Sequence, residues 1–224
     1  MTTPPPGLRE RKKQATREAL RAAALRLAVE HGPDQVRVEE IAEAAGVSPR
    51  TYNNYFASRE QAIVAAVTAD REARVAAAVA ARPAGTRLAD AVTEAVLEQY
   101  TAAGAAEYEH AHTPETLLLI TTRPALREAF LDSTAGIEPP LAAVLAARLG
   151  DAPPHTARVL AAGVAAAVRI ALESWLQPAP AAGDAGNCIA GLVVPTGPLP
   201  ELLRATLAPL APAFDSAEGR TRSS

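Results

Sequence analysis

Val38-Glu-Glu-Ile-Ala-Glu-Ala-Ala-Gly-Val-Ser-Pro-Arg-Thr-Tyr-Asn-Asn-Tyr-Phe56 is the stretch that decides the fold. Its first half, Val38 to Ala45, reads as a short helix with Ile41 and Ala45 on one face. Ala42 is small enough to let a second helix pack close. Gly46 supplies the positive φ that a tight inter-helical turn requires, and Val47 plugs the corner. Ser48 is a helix N-cap residue and Pro49 suits a first helical position, so a new helix restarts at a steep angle. Two short helices joined this way present the second for insertion into a DNA major groove. The N-terminus of that second helix is also expected to offer N–H groups and a positive dipole end to phosphate. Tyr52 and Phe56, spaced i to i+4, are expected to face the core.

Working outward, nearly every segment reads as helix, because Ala, Leu, Glu and Arg dominate and β-branched runs are few. A first helix is expected from about Arg9 to His31, stopped by Gly32-Pro33. A fourth starts at Ser58, where Ser58 and Gln61 have capping-box spacing, and is expected to run past Ala73. Pro83-Ala84-Gly85 then breaks the chain. The expected organisation is an arm and helix-turn-helix domain over 1–57, a connecting helix over 58–84, and a larger helical domain over 85–224. In that domain helices are expected over 86–103 and 113–120. Another runs from Pro124 towards Leu149, kinked at Gly136 or Pro139-Pro140, and a long one covers 154–176. The stretch 177–198 reads as a loop, and a last helix carries Leu199, Leu202, Leu203 and Leu207 before Pro209 and Pro212 stop it. The fold class is all-α.

The composition fits a soluble protein. The chain has 224 residues, enough for a substantial core, and a mean hydropathy of +0.03. The longest strongly apolar run, Val159 to Val168, ends at Arg169, well short of a bilayer span. Met1 to Gly7 is polar and proline-rich without a secretory pattern, and the single cysteine, Cys188, excludes an internal disulfide framework. A cytoplasmic location with no membrane partner is expected. Charge placement is more informative than charge total. Through Arg26 seven basic residues (Arg9, Arg11, Lys12, Lys13, Arg17, Arg21, Arg26) face Glu10 and Glu18, on a chain whose net charge is −3. A basic start on an acidic body suits contact with a polyanion, although a solvated helix face is the plainer reading of such a run.

Ile41-Ala42 through Gly46-Val47-Ser48, Arg50-Thr51 with Tyr55-Phe56, and Ser58-Arg59-Glu60 resemble the DNA-binding domain of the TetR family of transcriptional regulators, over about Lys13 to Ile63. Arg123 to Phe130 and Arg169 to Leu176 are similar to the ligand domain of the mycofactocin-type actinobacterial branch. The resemblance implies that Pro49, Arg50 and Asn53 touch base edges, and that Thr51, Tyr55 and Arg59 grip phosphates. It places Arg37 beside a phosphate at the start of the second helix, with Ser48 and Asn54 completing the DNA-facing set. Side-chain chemistry agrees, since Arg reads guanine bidentately, Asn reads adenine, and hydroxyls and phenols suit phosphate oxygens. Three positions depart from the family pattern: Asn53 replaces a frequent aromatic, Arg37 a usual Thr, and Ala28 a common Phe.

The resemblance further implies a homodimer, a small-molecule effector and an inverted-repeat DNA operator, with no cofactor. The helix over 154–176 is apolar on more than one face and reads as buried all round. The resemblance implies a dimer built from the last two helices of each chain, which puts Leu160, Gly163, Val164, Ala167, Ala171 and Trp175, with Leu199, Leu202 and Leu203, at the interface. Leu97, Tyr100, Leu118, Leu119, Phe130 and Ile170 are candidates to line an effector pocket, and core packing alone would also place them inside. A small, largely apolar effector that releases a repressor is the expected regulation. Two other classes stay open: a helical small-molecule-binding or interaction protein without DNA affinity, and an enzyme on a helical bundle. Little favours catalysis. His110 and His112 with Glu107 or Glu109 lack i, i+4 ligand spacing, His155 and Cys188 are isolated, and Gly191 to Gly197 lacks the lysine of a phosphate-binding loop. No metal site is expected.

Overall fold

The computed structural model describes residues 7–68, 71–100, 122–150, 152–176 and 198–222. Helices α1 (Leu8–His31), α2 (Val38–Ala44), α3 (Pro49–Tyr52) and α4 (Arg59–Thr68) are followed by α5 (Arg71–Ala81) and α6 (Leu88–Tyr100). After these come α7 (Pro124–Ser133), a 3-10 turn (Thr134–Ile137), α8 (Glu138–Leu149) and α9 (Pro154–Trp175). The chain closes with α10 (Leu199–Leu207), a 3-10 turn (Ala208–Leu210) and α11 (Ala211–Arg222). There is no strand among the described residues. The helices expected over 113–120, the loop over 177–197, and the residues His110, His112, Leu118, Leu119 and Cys188 lie outside them.

Two compact units result. The first holds 7–68 and 122–130, and the second holds 71–100, 131–150, 152–176 and 198–222. The division falls between α4 and α5 and again inside α7. Of the helix expected from Ser58 past Ala73, α4 is described to Thr68 and α5 from Arg71, and residues 69–70 lie outside the described residues. The break at Pro83 is an internal corner of the second unit. There the guanidinium of Arg148 donates to the carbonyls of Val79, Pro83 and Thr86, at 3.0, 3.1 and 3.3 Å.

In the first unit α1 packs on α4 and α2, and α2 on α3. Leu20, Ala24, Leu27 and Ala28 of α1 are buried, as are Ile41, Ala42, Tyr52, Phe56, Ala62 and Ile63. Burying one such aliphatic side chain contributes about 1.5–3 kcal/mol. Local chemistry sets the ends of the helices. Gly32 (φ 83) ends α1 and Gly46 (φ 69) makes the α2–α3 turn, as expected. The Gln61 N–H donates to Ser58 Oγ (3.2 Å), while Gln61 Oε1 accepts from the Ala57 N–H (3.0 Å). The expected box therefore forms with its return bond one residue early. At α2, Glu40 accepts the N–H of Arg37 (2.9 Å), which compensates for an N-cap side chain that can only donate.

In the second unit α9 is the central helix, packed on α8, α10 and the Thr134–Ile137 turn. By length and composition α9 could cross a bilayer, more than the run ending at Arg169 indicated. Half of it is packed inside its own unit, the behaviour of a core helix. Arg169 pairs with Glu173 and with Asp132 (2.7 and 2.6 Å) on its outer side.

The residues expected at the dimer face differ in what their own chain covers. Leu160, Val164, Ala167, Ala171 and Leu203 are buried by their own chain. Gly163 faces Leu210 of the same chain, whose Cδ2 lies 3.2 Å from where a Cβ would stand. Trp175, Leu199 and Leu202 are half-buried. A helix apolar all round must turn one stripe inward, and the intramolecular neighbours took this one. The stripe left outside runs Val159 (66% exposed), Ala162, Ala166 and Ile170 (53%). The chain also does not stop at Pro209 and Pro212. Both fall in the first turn of a new helical segment, where a missing N–H costs nothing, and α11 follows. Phe214 and Ala217 are buried, Asp215 receives two bonds from Arg87, and Glu218 accepts the Leu88 N–H at the start of α6. The exposed Arg87 guanidinium holds the Asp215 carboxyl below its ordinary range.

Candidate nucleic-acid interface

The reading helix is built by its cap. Ser48 Oγ accepts the Thr51 N–H at 3.1 Å and shares a hydrogen bond with Thr51 Oγ1 at 2.9 Å. Pro49 occupies the first helical position. The regular helix is four residues long, Pro49–Tyr52, and turn follows from Asn53 to Tyr55. So short a helix has little macrodipole, and the Ser48 hydroxyl already satisfies one of its N-terminal N–H groups. The dipole contribution expected from the sequence is correspondingly small.

Behind this helix the anchor is Tyr52. It is fully buried, its ring is 5.9 Å from that of Phe56, and its hydroxyl donates to the Ser58 carbonyl at 2.7 Å. Burial, with Glu60 adding a smaller effect, pushes its pKa up to about 12. The guanidinium of Arg17 covers the other aromatic, 5.7 Å from the Phe56 centroid. With Tyr52 and Phe56 inward, Ser48, Pro49, Arg50, Asn53 and Asn54 are exposed, and Thr51 and Tyr55 are half-exposed. Arg37 is exposed at the start of α2.

Arg59 is held by acceptors of its own unit. Its Nη1 donates to the carbonyls of Asp34 and Val36, both at 3.0 Å, and its Nε to Glu60 at 2.7 Å. The side chain thereby staples the start of α4 to the α1–α2 loop. Burial works against ionisation of Glu60. The Arg59 guanidinium, a backbone N–H and the Ser58 hydroxyl outweigh it and hold the carboxyl below its ordinary range. Asp34 also pairs with Arg123 (3.2 Å).

One grouping went unassigned in the sequence. Arg9, Lys12, Lys13 and Thr16 of α1 line a cleft of ≈ 600 Å³ together with Thr51, Asn54 and Tyr55. The signal was present in the spacing, i, i+3, i+4, i+7, which puts the four on one helix face. What the sequence did not contain was the neighbour across the cleft.

The effector candidates are less gathered. Leu97 and Tyr100 are half-buried on α6, and Phe130 is buried on α7. Ile170 lies on the outer stripe of α9, 53% exposed. Arg71, a residue not singled out from the sequence, is 5% exposed and lies over the Tyr100 ring, 4.5 Å from its centroid. Beside it Arg74 donates to Gln99 Oε1 (2.8 Å). Burial, only partly opposed by Arg71, raises the pKa of Tyr100. Among the described residues no group of three or more His, Cys, Asp or Glu could hold a metal ion.

Known proteins place this geometry in a class. Residues 20–66 match the family of bacterial regulatory proteins described as tetR, and residues 86–187 match the MftR C-terminal domain. Over these residues the chain is similar to the TetR family of transcriptional regulators. The HTH-type transcriptional regulator TcmR of Streptomyces glaucescens is 35% identical over 148 residues, which cover 65% of this chain. The match spans 65% of that protein's length, just under two thirds. A tetR-family transcriptional regulator from Streptomyces coelicolor, known as a crystal structure, aligns over 97% of this chain and 90% of its own. Its identity is 17% and the TM-score 0.34.

Proposed function

We propose that this chain is a ligand-responsive repressor that binds an inverted-repeat operator as a homodimer and is released by a small, largely apolar effector. The observation that carries the DNA-reading part is the split of one short segment into two faces. Tyr52 and Phe56 anchor it from behind, and Pro49, Arg50 and Asn53 stand exposed in front. In this reading Arg50 and Asn53 contact base edges, and Thr51 and Tyr55 grip phosphates, with Ser48 acting mainly as the cap. Arg37 and Asn54 lie beside them, and Arg59 acts by positioning α4. The stripe Val159, Ala162, Ala166 and Ile170 supports a twofold pairing of α9 helices. Such a pairing matches the twofold symmetry of an inverted repeat.

The test is a gel shift with duplex DNA taken from around the chain's own gene. The expected result is retention over an unrelated duplex of equal length. Arg50→Ala should cost about 1–3 kcal/mol at particular base pairs, and Tyr55→Ala should weaken all sequences alike. Wild-type protein that binds both duplexes equally would remove the sequence-reading role. An effector that binds tightly yet leaves operator affinity unchanged would remove the release mechanism for that effector, because linkage requires reciprocity.

A further inference from the structure

We propose that the cleft between α1 and α3 is a seat for the sugar-phosphate backbone of DNA, which makes the N-terminal half of α1 part of the grip. The inference rests on the DNA-reading function proposed above and extends it to Arg9, Lys12, Lys13 and Thr16, residues outside the helix-turn-helix. Three observations converge. At about 100° per residue these four positions fall within an arc of roughly 100° on α1. Every charged residue lining the cleft is a cation, on a chain whose net charge is −3. The opposite wall is supplied by Thr51, Asn54 and Tyr55, whose hydroxyl, amide and phenol groups suit phosphate oxygens.

Position favours a polymer over a free anion. Thr51 belongs to the short helix that carries Arg50, and Asn54 and Tyr55 to the turn that follows it, so the cleft lies alongside the base-reading edge. A strand whose bases meet that edge carries its phosphates past the cleft. The cations are long, exposed side chains. They can follow a row of like charges, whereas a site for one small anion would enclose it. Thr16 Oγ1 spends its proton on the Lys12 carbonyl (2.9 Å), so Arg9, Lys12 and Lys13 supply the charge.

The chain itself provides a probe, because Lys12 and Lys13 are its only lysines. Full-length protein is treated with an amine-acetylating ester alone, with a non-specific duplex, and with inorganic phosphate at matched ionic strength. Peptide mass mapping then follows both side chains. The expected result is slower acetylation of both lysines with duplex and none of that protection with phosphate. In parallel, Arg9→Ala/Lys12→Ala/Lys13→Ala is titrated with the same duplex across salt concentrations. Each lost cation should reduce the slope of log affinity against log salt by about 0.9, up to about 2.7 per head. That difference amounts to roughly 40-fold in affinity between 50 and 200 mM salt. Arg11→Ala, one position away on the opposite face of α1, is the control for net charge and should leave lysine protection intact.

The outcomes separate the two claims. Wild-type protein without salt-dependent duplex binding overturns the DNA-reading function and this seat with it. Normal binding by the wild type, with unprotected lysines and a slope reduced by less than about 0.9 in the triple variant, overturns the seat alone. Protection by inorganic phosphate alone would make the cleft a pocket for a free anion, against the proposal.

Discussion

Replacing Tyr52 with Phe should make the protein less stable at neutral pH and more stable than wild type in strong alkali. The side chain is fully buried and its hydroxyl donates to the Ser58 carbonyl at 2.7 Å. At pH 7 the substitution removes that bond and leaves the Ser58 carbonyl only the Ala62 N–H at 3.3 Å, a net cost of about 0.5–1.5 kcal/mol. Alkali reverses the balance because burial has pushed the phenol up from 10.0 to about 12. Between those values the unfolded phenol has lost its proton and the native one keeps it. The native state then binds more protons, so stability falls as pH rises through this window. One unit into it, near pH 11, the loss is about 1.4 kcal/mol, similar to the value of the bond. The phenylalanine variant has no such loss. Urea denaturation at pH 8, 10 and 11 should therefore show the wild-type advantage intact at pH 8 and gone or reversed at pH 11. Ultraviolet difference titration at the tyrosinate band should show the wild type's extra ionisation near 12. A stability difference that stays constant from pH 8 to 11 would refute the burial argument.

Three further outcomes follow from the structure. Gly46 sits at φ 69 with nothing within 4 Å of an added Cβ, so Gly46→Ala should cost about 1–2 kcal/mol of backbone strain alone. Gly46→Asn should recover part of that loss in thermal unfolding. Arg59→Ala removes two bonds to backbone carbonyls and one to Glu60, and should lower stability by about 1.5–3 kcal/mol. It should hardly alter the salt slope of DNA binding, whereas a slope change near 0.9 per head would restore Arg59 as a phosphate contact. Ile170→Glu should yield a folded monomer by light scattering and circular dichroism, while Val164→Glu should unfold the second unit. A dimeric Ile170→Glu protein would place the interface elsewhere.

The residues that local physics dictates were legible in the sequence. Gly46 turns because its φ must be positive, and Ser48 caps because its hydroxyl reaches an N–H three residues on. Tyr52 and Phe56 go inward because they share a face, and Gly136 marks a break because the helix tightens there into a 3-10 turn. Each of these depends on a few consecutive residues. What was not legible is what depends on a partner distant in the chain. Leu160, Val164 and Ala171 read as a free apolar stripe until their own unit covered them, which left Val159 and Ile170 outside. Nothing near Arg59 in sequence announces that the carbonyls of Asp34 and Val36, more than twenty residues away, accept from its guanidinium. Lys12 and Lys13 read as a solvated face until Thr51, Asn54 and Tyr55 closed the cleft opposite them. Periodicity shows that a helix has an apolar or basic face. Only tertiary packing decides what that face meets, because burial and hydrogen bonding are satisfied by whichever neighbour the fold delivers.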